Sequence, residues 1–125
     1  LYMTHAYVPP HRRARAGMID TIAAAYIDAG KAADAPVIPV GLAFDHSYRE
    51  RPDFSLHKSF DGTHPNLRGT YLAACTVFLT LYGGSLENLR YDYFGALPAD
   101  EAAYLRGIAE ATVQRFLTGA VDSAP

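Results

Sequence analysis

The residues best suited to chemistry lie in one short segment, where Asp61 and His64 are separated by a glycine-containing turn. A separation of three residues allows the two side chains to meet, so that Asp61 accepts the Nδ1 proton of His64 and holds the ring in one tautomer. His64 then presents Nε2 as a general base. The same spacing also fits a plain turn, in which Asp61 caps the following helix and His64 is partly exposed. We therefore treat Asp61 and His64 as candidate catalytic residues.

The remaining histidines and acids form no metal-binding motif. The side chains considered as metal ligands are His5, His11, Asp45, His46, His57 and Asp61. No pair of histidines has the His-x-x-x-His spacing of a helical zinc site, and the single Cys75 cannot form a cysteine pair. His46 and His57 share a polar segment with His64, so they either border a substrate cleft or lie on the surface. We predict no metal and no cofactor.

Composition describes one domain and argues against two classes of partner. The chain has 125 residues, of which 50% are hydrophobic and 19% are charged, and its net charge is -2. No block of basic residues provides the electrostatic footprint that nucleic acid requires. The apolar stretch 72–82 is too short to span a bilayer. We predict a single domain with no nucleic-acid partner and no membrane insertion, in an undetermined compartment.

The hydrophobic pattern predicts a strand, a helix and a strand at the start of the chain. Residues 1–8 contain β-formers and end at a proline pair, and residues 36–40 form an uninterrupted apolar run. Between them, apolar residues with helical spacing predict a helix over residues 13–29. Ligands bind beyond the carboxyl ends of strands in open parallel sheets, so we predict that residues 41–66 form one long functional loop.

Two further helices are predicted after this loop. Residues 67–82 are apolar on nearly every side and predict a mostly buried helix that ends at a glycine pair. The last helix begins near Pro98, and its buried face is predicted to contain Leu105, Ile108, Ala109, Thr112 and Phe116. The aromatic residues between these helices, Tyr91, Tyr93 and Phe94, are expected to cover the core rather than to bind a sugar. Residues 120–125 are expected to fray.

Residues 60–72, FDGTHPNLRGTYL, resemble the last conserved block of the SGNH hydrolases, also called the GDSL lipases and esterases. In that block an Asp-x-x-His element supplies two members of a Ser-His-Asp triad. Carried over residue by residue, Asp61 matches the triad acid and His64 the triad base, while Pro65 and Asn66 match the opening of the helix behind them. The resemblance implies an α/β fold with a three-layer, flavodoxin-like parallel sheet, of which residues 1–125 form the C-terminal part.

Other parts of the family pattern have no match in the chain. The Gly-Asp-Ser element that carries the family's nucleophile is missing, and so are the Gly and Asn of its oxyanion hole. The serines considered in its place, Ser47, Ser55, Ser59 and Ser85, lack the strand-then-turn context that exposes a nucleophile. The resemblance therefore implies that strands with the nucleophile precede residue 1, and that the 125-residue chain alone is nearly inert. Its uncovered sheet would also promote self-association.

The function implied by the resemblance is that of a serine ester hydrolase acting on a small-molecule ester, such as an acylated carbohydrate. His64 takes the proton of the serine, and Asp61 stabilises the imidazolium that forms. An alternative from another class is a non-catalytic module that binds carbohydrate or a protein partner through the same cleft. A third interpretation is a metal hydrolase that uses the loop histidines.

Overall fold

Four α-helices joined by irregular segments make up the fold. In a computed structural model, residues 1–119 are described, and the helices are α1 (Met18–Ala33), α2 (Val40–Glu50), α3 (Leu67–Tyr82) and α4 (Ala99–Leu117). None of the helices in this part of the chain combines the length and apolar character that crossing a bilayer requires. Helices α3 and α4 share the largest contact, α2 packs against both, and α1 packs against α2.

The predicted α/β fold, with its three-layer, flavodoxin-like parallel sheet, is wrong. Within residues 1–119 extended backbone pairs only in isolated bridges, and the one that joins the two predicted strands lies between Tyr2 and Ile38. Met3 N–H donates to the carbonyl of Ile38 at 3.0 Å. The pairing stops there because Pro39 has no N–H to donate and α2 begins at Val40. Without a sheet in the described residues, the predicted self-association through an uncovered sheet loses its structural basis.

Helix α2 occupies the first ten of residues 41–66, so the prediction of one long loop there is wrong. Its buried residues include Val40, Ala43, Phe44 and Ser47, at the i, i+3, i+4, i+7 spacing of one helical face. The helix is hidden in the sequence because Val40 is both the end of an apolar run and the first residue of this face. The irregular segment that carries Asp61 and His64 is therefore much shorter than predicted.

The helix predicted over residues 13–29 exists with later bounds, as α1. Gly17, with a φ of 74°, precedes it, and Asp34, with a φ of 49°, ends it in the left-handed region. Gly30, a residue type that often ends a helix, lies inside α1 and is buried. The prediction of a helix is confirmed, but the helix continues past residue 29 to Ala33.

The last two helices agree closely with the sequence-based prediction. Helix α3 spans the predicted residues and is capped at its N-terminus by Asn66, whose side chain accepts the N–H of Gly69 at 3.0 Å. The prediction that it is mostly buried is wrong, because only one face is buried and Phe78 and Tyr82 are 48% and 77% exposed. The predicted face of α4 is confirmed, with these residues buried: Leu105, Ile108, Ala109 and Thr112. Phe116 is only partly buried and packs against a second, smaller core cluster.

Two clusters of buried side chains hold the helices together. The larger one joins α2, α3 and α4, and the smaller one joins Met3, Ala23 and Val37 beneath α1. Tyr93 packs against the larger cluster as expected. Phe94 is 93% exposed and Tyr91 47% exposed, so their assignment to the core is wrong. The expectation that residues 120–125 fray falls outside the described residues.

Gly41 is predicted to be essential for the packing of α2. Its N–H donates to the carbonyl of Met3 at 3.0 Å, and a Cβ at this position would lie 2.1 Å from the carbonyl oxygen of Thr4. Because the obstacle is backbone, Gly41→Ala should lower the free energy of unfolding by about 1–3 kcal/mol in chemical denaturation.

Gly107→Ala is the matched control, because a Cβ there meets no atom within 4 Å outside its own helix. This substitution should raise the free energy of unfolding by up to about 1 kcal/mol, as expected for glycine replaced by alanine inside a helix. Equal stability of the Gly41→Ala variant and the wild type would contradict the packing described for α2.

Candidate active site

Asp61 and His64 contact each other in the turn before α3. The Nδ1–H of His64 donates to Oδ2 of Asp61. The other carboxylate oxygen, Oδ1, accepts the backbone N–H groups of Thr63 and His64, each at 3.0 Å. The carboxylate thus holds both the backbone and the ring of His64, and the neutral ring offers its Nε2 lone pair.

The electrostatic environment keeps Asp61 ionised. The backbone N–H of Thr63 is the main cause, followed by the hydrogen bond from the His64 side chain, and together they lower the pKa of Asp61 to about 2 against a desolvation that raises it. The side chain of Asp61 is 21% exposed and that of His64 is 70% exposed. An anionic carboxylate beside an accessible imidazole is the arrangement that stabilises an imidazolium during proton transfer.

The N-terminal segment holds the turn in place. Val8 N–H donates to the carbonyl of Gly62 at 2.9 Å, and Lys58 N–H donates to the carbonyl of His64 at 2.8 Å. Gly62 has a φ of 66°, and a Cβ there would lie 1.9 Å from the carbonyl oxygen of Val8. Only glycine satisfies both the left-handed backbone and this close approach. The position of the turn in the fold therefore depends on a residue more than fifty positions away.

No nucleophile lies against His64 in the described residues. Within residues 1–119 no serine hydrogen-bonds to its ring. Ser47 is fully buried against Tyr104, and Ser55 donates to a backbone carbonyl. Cys75 is buried in the core, and this burial raises the pKa of its thiol to about 11. The described part of the chain therefore provides an acid and a base without a nucleophile.

A second group of polar side chains lies beside the turn and is formed by His57, Tyr48 and His5. His57 is 3% exposed, and its Nδ1 is 2.7 Å from the hydroxyl of Tyr48. Its Nε2 is 3.0 Å from Nδ1 of His5. The ring of His5 is stacked on Phe44, with ring centroids 4.5 Å apart. We call these three residues, His57, Tyr48 and His5, the histidine network.

The histidine network is uncharged near neutral pH. Burial, and after it the neighbouring His5, lower the pKa of His57 to about 4. Burial also lowers the pKa of His5 and raises that of Tyr48. The site thus combines an ionised carboxylate at the surface with neutral imidazoles beneath it.

Two members of the histidine network, Tyr48 and His57, border a cavity of about 230 Å³. The residues that line it are Ala6, Tyr7, Val8, Arg15, Ala16, Gly17, Met18, Ile19, Gly41, Phe44, Asp45, Tyr48 and His57. Its wall is mostly apolar, with Arg15 and Asp45 as the charged members. Within residues 1–119 no three His, Cys, Asp or Glu side chains are grouped as they would be around a metal ion.

His46 and His57, for which the sequence allows either a cleft or a surface position, lie in different places in the structure. His57 lies in the histidine network, next to the candidate pair. His46 belongs to a different place, where its Nε2 is 3.0 Å from Oε1 of Glu50 and its Nδ1 is 3.2 Å from the hydroxyl of Thr112 on α4. Sequence reasoning missed Tyr48, which carries no motif, and considered His5 only as a metal ligand.

Comparison with known proteins finds no similar protein. The chain matches no protein-family model, no curated protein and no solved structure. The resemblance of residues 60–72 to the SGNH hydrolases remains an interpretation of those residues alone. Function has to be inferred from the geometry of Asp61 and His64.

Acidification is predicted to destabilise the protein through His57. Its pKa is about 4 in the folded chain against 6.5 for an ordinary histidine, so between these values the unfolded chain binds a proton that the folded chain does not. The free energy of unfolding should therefore fall as the pH drops from about 6.5 to about 4, by up to about 3 kcal/mol. Denaturation curves at pH 7 and pH 4.5 measure this loss.

His57→Gln should remove most of this pH dependence, because glutamine can replace both hydrogen bonds without titrating. His46→Gln, which removes an imidazole outside the histidine network, is the control and should retain the wild-type slope. The same slope in the wild type and in His57→Gln would show that another group is responsible.

Proposed function

We propose that the chain supplies the acid–base pair of a serine ester hydrolase, with the nucleophilic hydroxyl coming from polypeptide outside residues 1–119. The observation that carries this proposal is the hydrogen bond from Nδ1 of His64 to Oδ2 of Asp61, which leaves Nε2 of an exposed imidazole free. The resemblance of residues 60–72 to the SGNH hydrolases supports the same assignment.

In this reaction, Nε2 of His64 removes the hydroxyl proton while the hydroxyl oxygen attacks the ester carbonyl. The ionised Asp61 stabilises the imidazolium, which then gives the proton to the departing alcohol as the ester C–O bond breaks. Water repeats the sequence on the acyl-enzyme and releases the carboxylic acid. Each half-reaction returns His64 to its neutral form.

The cavity bordered by Tyr48 and His57 reaches the turn through Val8 and is lined by neither Asp61 nor His64, and its size favours small substrates. Its volume of about 230 Å³ lies below the range of roughly 300–1,000 Å³ that is common for ligand pockets. An ester with a short acyl group fits this space better than a long-chain lipid does. Acylated sugars are one class of such esters, and the charged Arg15 and Asp45 at the cavity offer partners for hydroxyl groups.

His64→Ala is predicted to reduce ester turnover by about 10⁴-fold or more, because it removes the base from a group that acts as a unit. Asp61→Asn should cause a loss of similar order, because the ring of His64 would no longer be held with its proton on Nδ1. The measurement uses the native product that contains this chain, with 4-nitrophenyl acetate and a peracetylated sugar as substrates.

The chain offers a matched control in His46, which also pairs with a carboxylate, that of Glu50 at 3.0 Å. His46→Ala removes a histidine–carboxylate pair elsewhere and should leave turnover within about twofold of the wild type. Wild-type turnover in the His64→Ala variant would refute the proposed role.

A second candidate function is a non-catalytic module that binds carbohydrate or a protein partner. The observation that favours it is that residues 1–119 place no nucleophile against His64. Labelling with a fluorophosphonate separates the two candidates, since a serine hydrolase is modified on one serine in a reaction that requires His64. A native product that is neither labelled nor active on either ester would favour the binding module.

A further inference from the structure

The hydrogen bonds of the histidine network run in one direction. The hydroxyl of Tyr48 accepts the backbone N–H of Leu56 at 2.9 Å. The hydroxyl of Tyr48 is 2.7 Å from Nδ1 of His57, and the side chain of Ser55 also lies against it. Donation of the phenol proton to Nδ1 of His57 makes use of this short contact. Nε2 of His57 then carries the ring proton and donates it to Nδ1 of His5 at 3.0 Å. The opposite direction would leave the Ser55 hydroxyl as the acceptor of the phenol proton among residues 1–119.

This direction fixes the tautomer of His5. Because its Nδ1 accepts a hydrogen bond, the single proton of the neutral ring lies on Nε2. The carbonyl of Ala6 is 3.5 Å from Nδ1, at the outer limit of a hydrogen bond, and competes only weakly. The stack on Phe44, with an interplanar angle of 11°, holds the plane of the ring.

The Nε2–H of His5 is directed to the surface. Within residues 1–119 it makes no hydrogen bond, and no buried side-chain nitrogen or oxygen there is without a partner. Since the residue is only partly buried, its Nε2 must reach solvent. The surface beside the turn thus carries a neutral N–H donor with a fixed position.

This donor lies close to the candidate base. His57, which holds His5, pairs with Pro65 in an antiparallel bridge, and Lys58 N–H donates to the carbonyl of His64 at 2.8 Å. His5 thus contacts a segment of chain that pairs with the segment of His64 and Pro65.

We propose that His5 is a substrate-binding residue, whose Nε2–H donates a hydrogen bond to an oxygen of the ester bound at His64. Tyr48 and His57 are positioning residues, because they fix the tautomer of His5 without touching the substrate. This inference rests on the proposed function and extends it to a residue that no motif indicates. The acceptor is a carbonyl or ether oxygen, since a neutral donor needs no charged partner.

The first test measures the tautomers and needs no substrate. The ¹⁵N and ¹³C shifts of the imidazoles at pH 7 should show the proton on Nε2 in both His5 and His57. Tyr48→Phe should abolish this single tautomer in both rings. Tyr104→Phe, which removes a hydroxyl bonded to Ser47 outside the histidine network, should preserve it. A proton on Nδ1 of His5 in the wild type would overturn the inference.

The second test measures ester turnover by the native product. His5→Phe keeps an aromatic ring on Phe44 but loses the donor, and it should lower kcat/KM about 10- to 100-fold, as expected for one donor to a substrate oxygen. His5→Gln restores an N–H donor and should recover most of this loss. If His5→Phe fails to fold, a His5→Gln variant with the same kcat/KM as His5→Ala would overturn the role.

The outcomes distinguish this inference from the proposed function. An active wild type that loses turnover in His64→Ala and keeps it in His5→Phe would overturn only the role of His5. An inactive wild type would overturn the proposed function and the substrate role of His5 with it. In that case the tautomer measurement still decides whether the hydrogen bonds run toward His5.

Discussion

The placement of the N-terminal segment, residues 1–8, is the constraint on which the candidate site depends. One part of it is held against the start of α2 by the hydrogen bond from Gly41 to Met3, and its end is held against the turn by the hydrogen bond from Val8 to Gly62. In both places a glycine approaches the backbone of the segment so closely that a Cβ on the glycine would collide with a carbonyl oxygen. Because the segment is fixed at two points, His5 has a defined position beside His57. The large core between α3 and α4 supports this arrangement without determining it.

The site uses the imidazole group in two opposite ways. His64 is exposed and pairs with an ionised carboxylate. His57 is buried, and desolvation keeps it neutral. A charged ring in that position would also face the ring of His5. The same side chain thus pairs with a carboxylate at the surface and bonds to neutral partners below it, and burial makes the difference.

Sequence reasoning succeeded where structure depends on neighbours along the chain. It predicted the bounds of α3, the buried face of α4 and the contact between Asp61 and His64, all of which follow from spacings of three or four residues. It failed for α2 and for the sheet because an apolar run ending at Val40 fits a strand as well as a helix start. The histidine network could not be predicted from the sequence, since His5 and His57 are 52 residues apart and no periodicity relates them.

The range of these contacts along the chain has a consequence for folding. The pair of Asp61 and His64 closes a loop of three residues, which costs little chain entropy, whereas the contact between His5 and His57 requires most of the N-terminal half to be ordered. A partly unfolded chain that releases the N-terminal segment can therefore keep an oriented base while it loses the neighbouring donor. Within this fold, the pairing of Asp61 with His64 is a local property of one turn, and its placement beside His5 is a property of the completed tertiary structure.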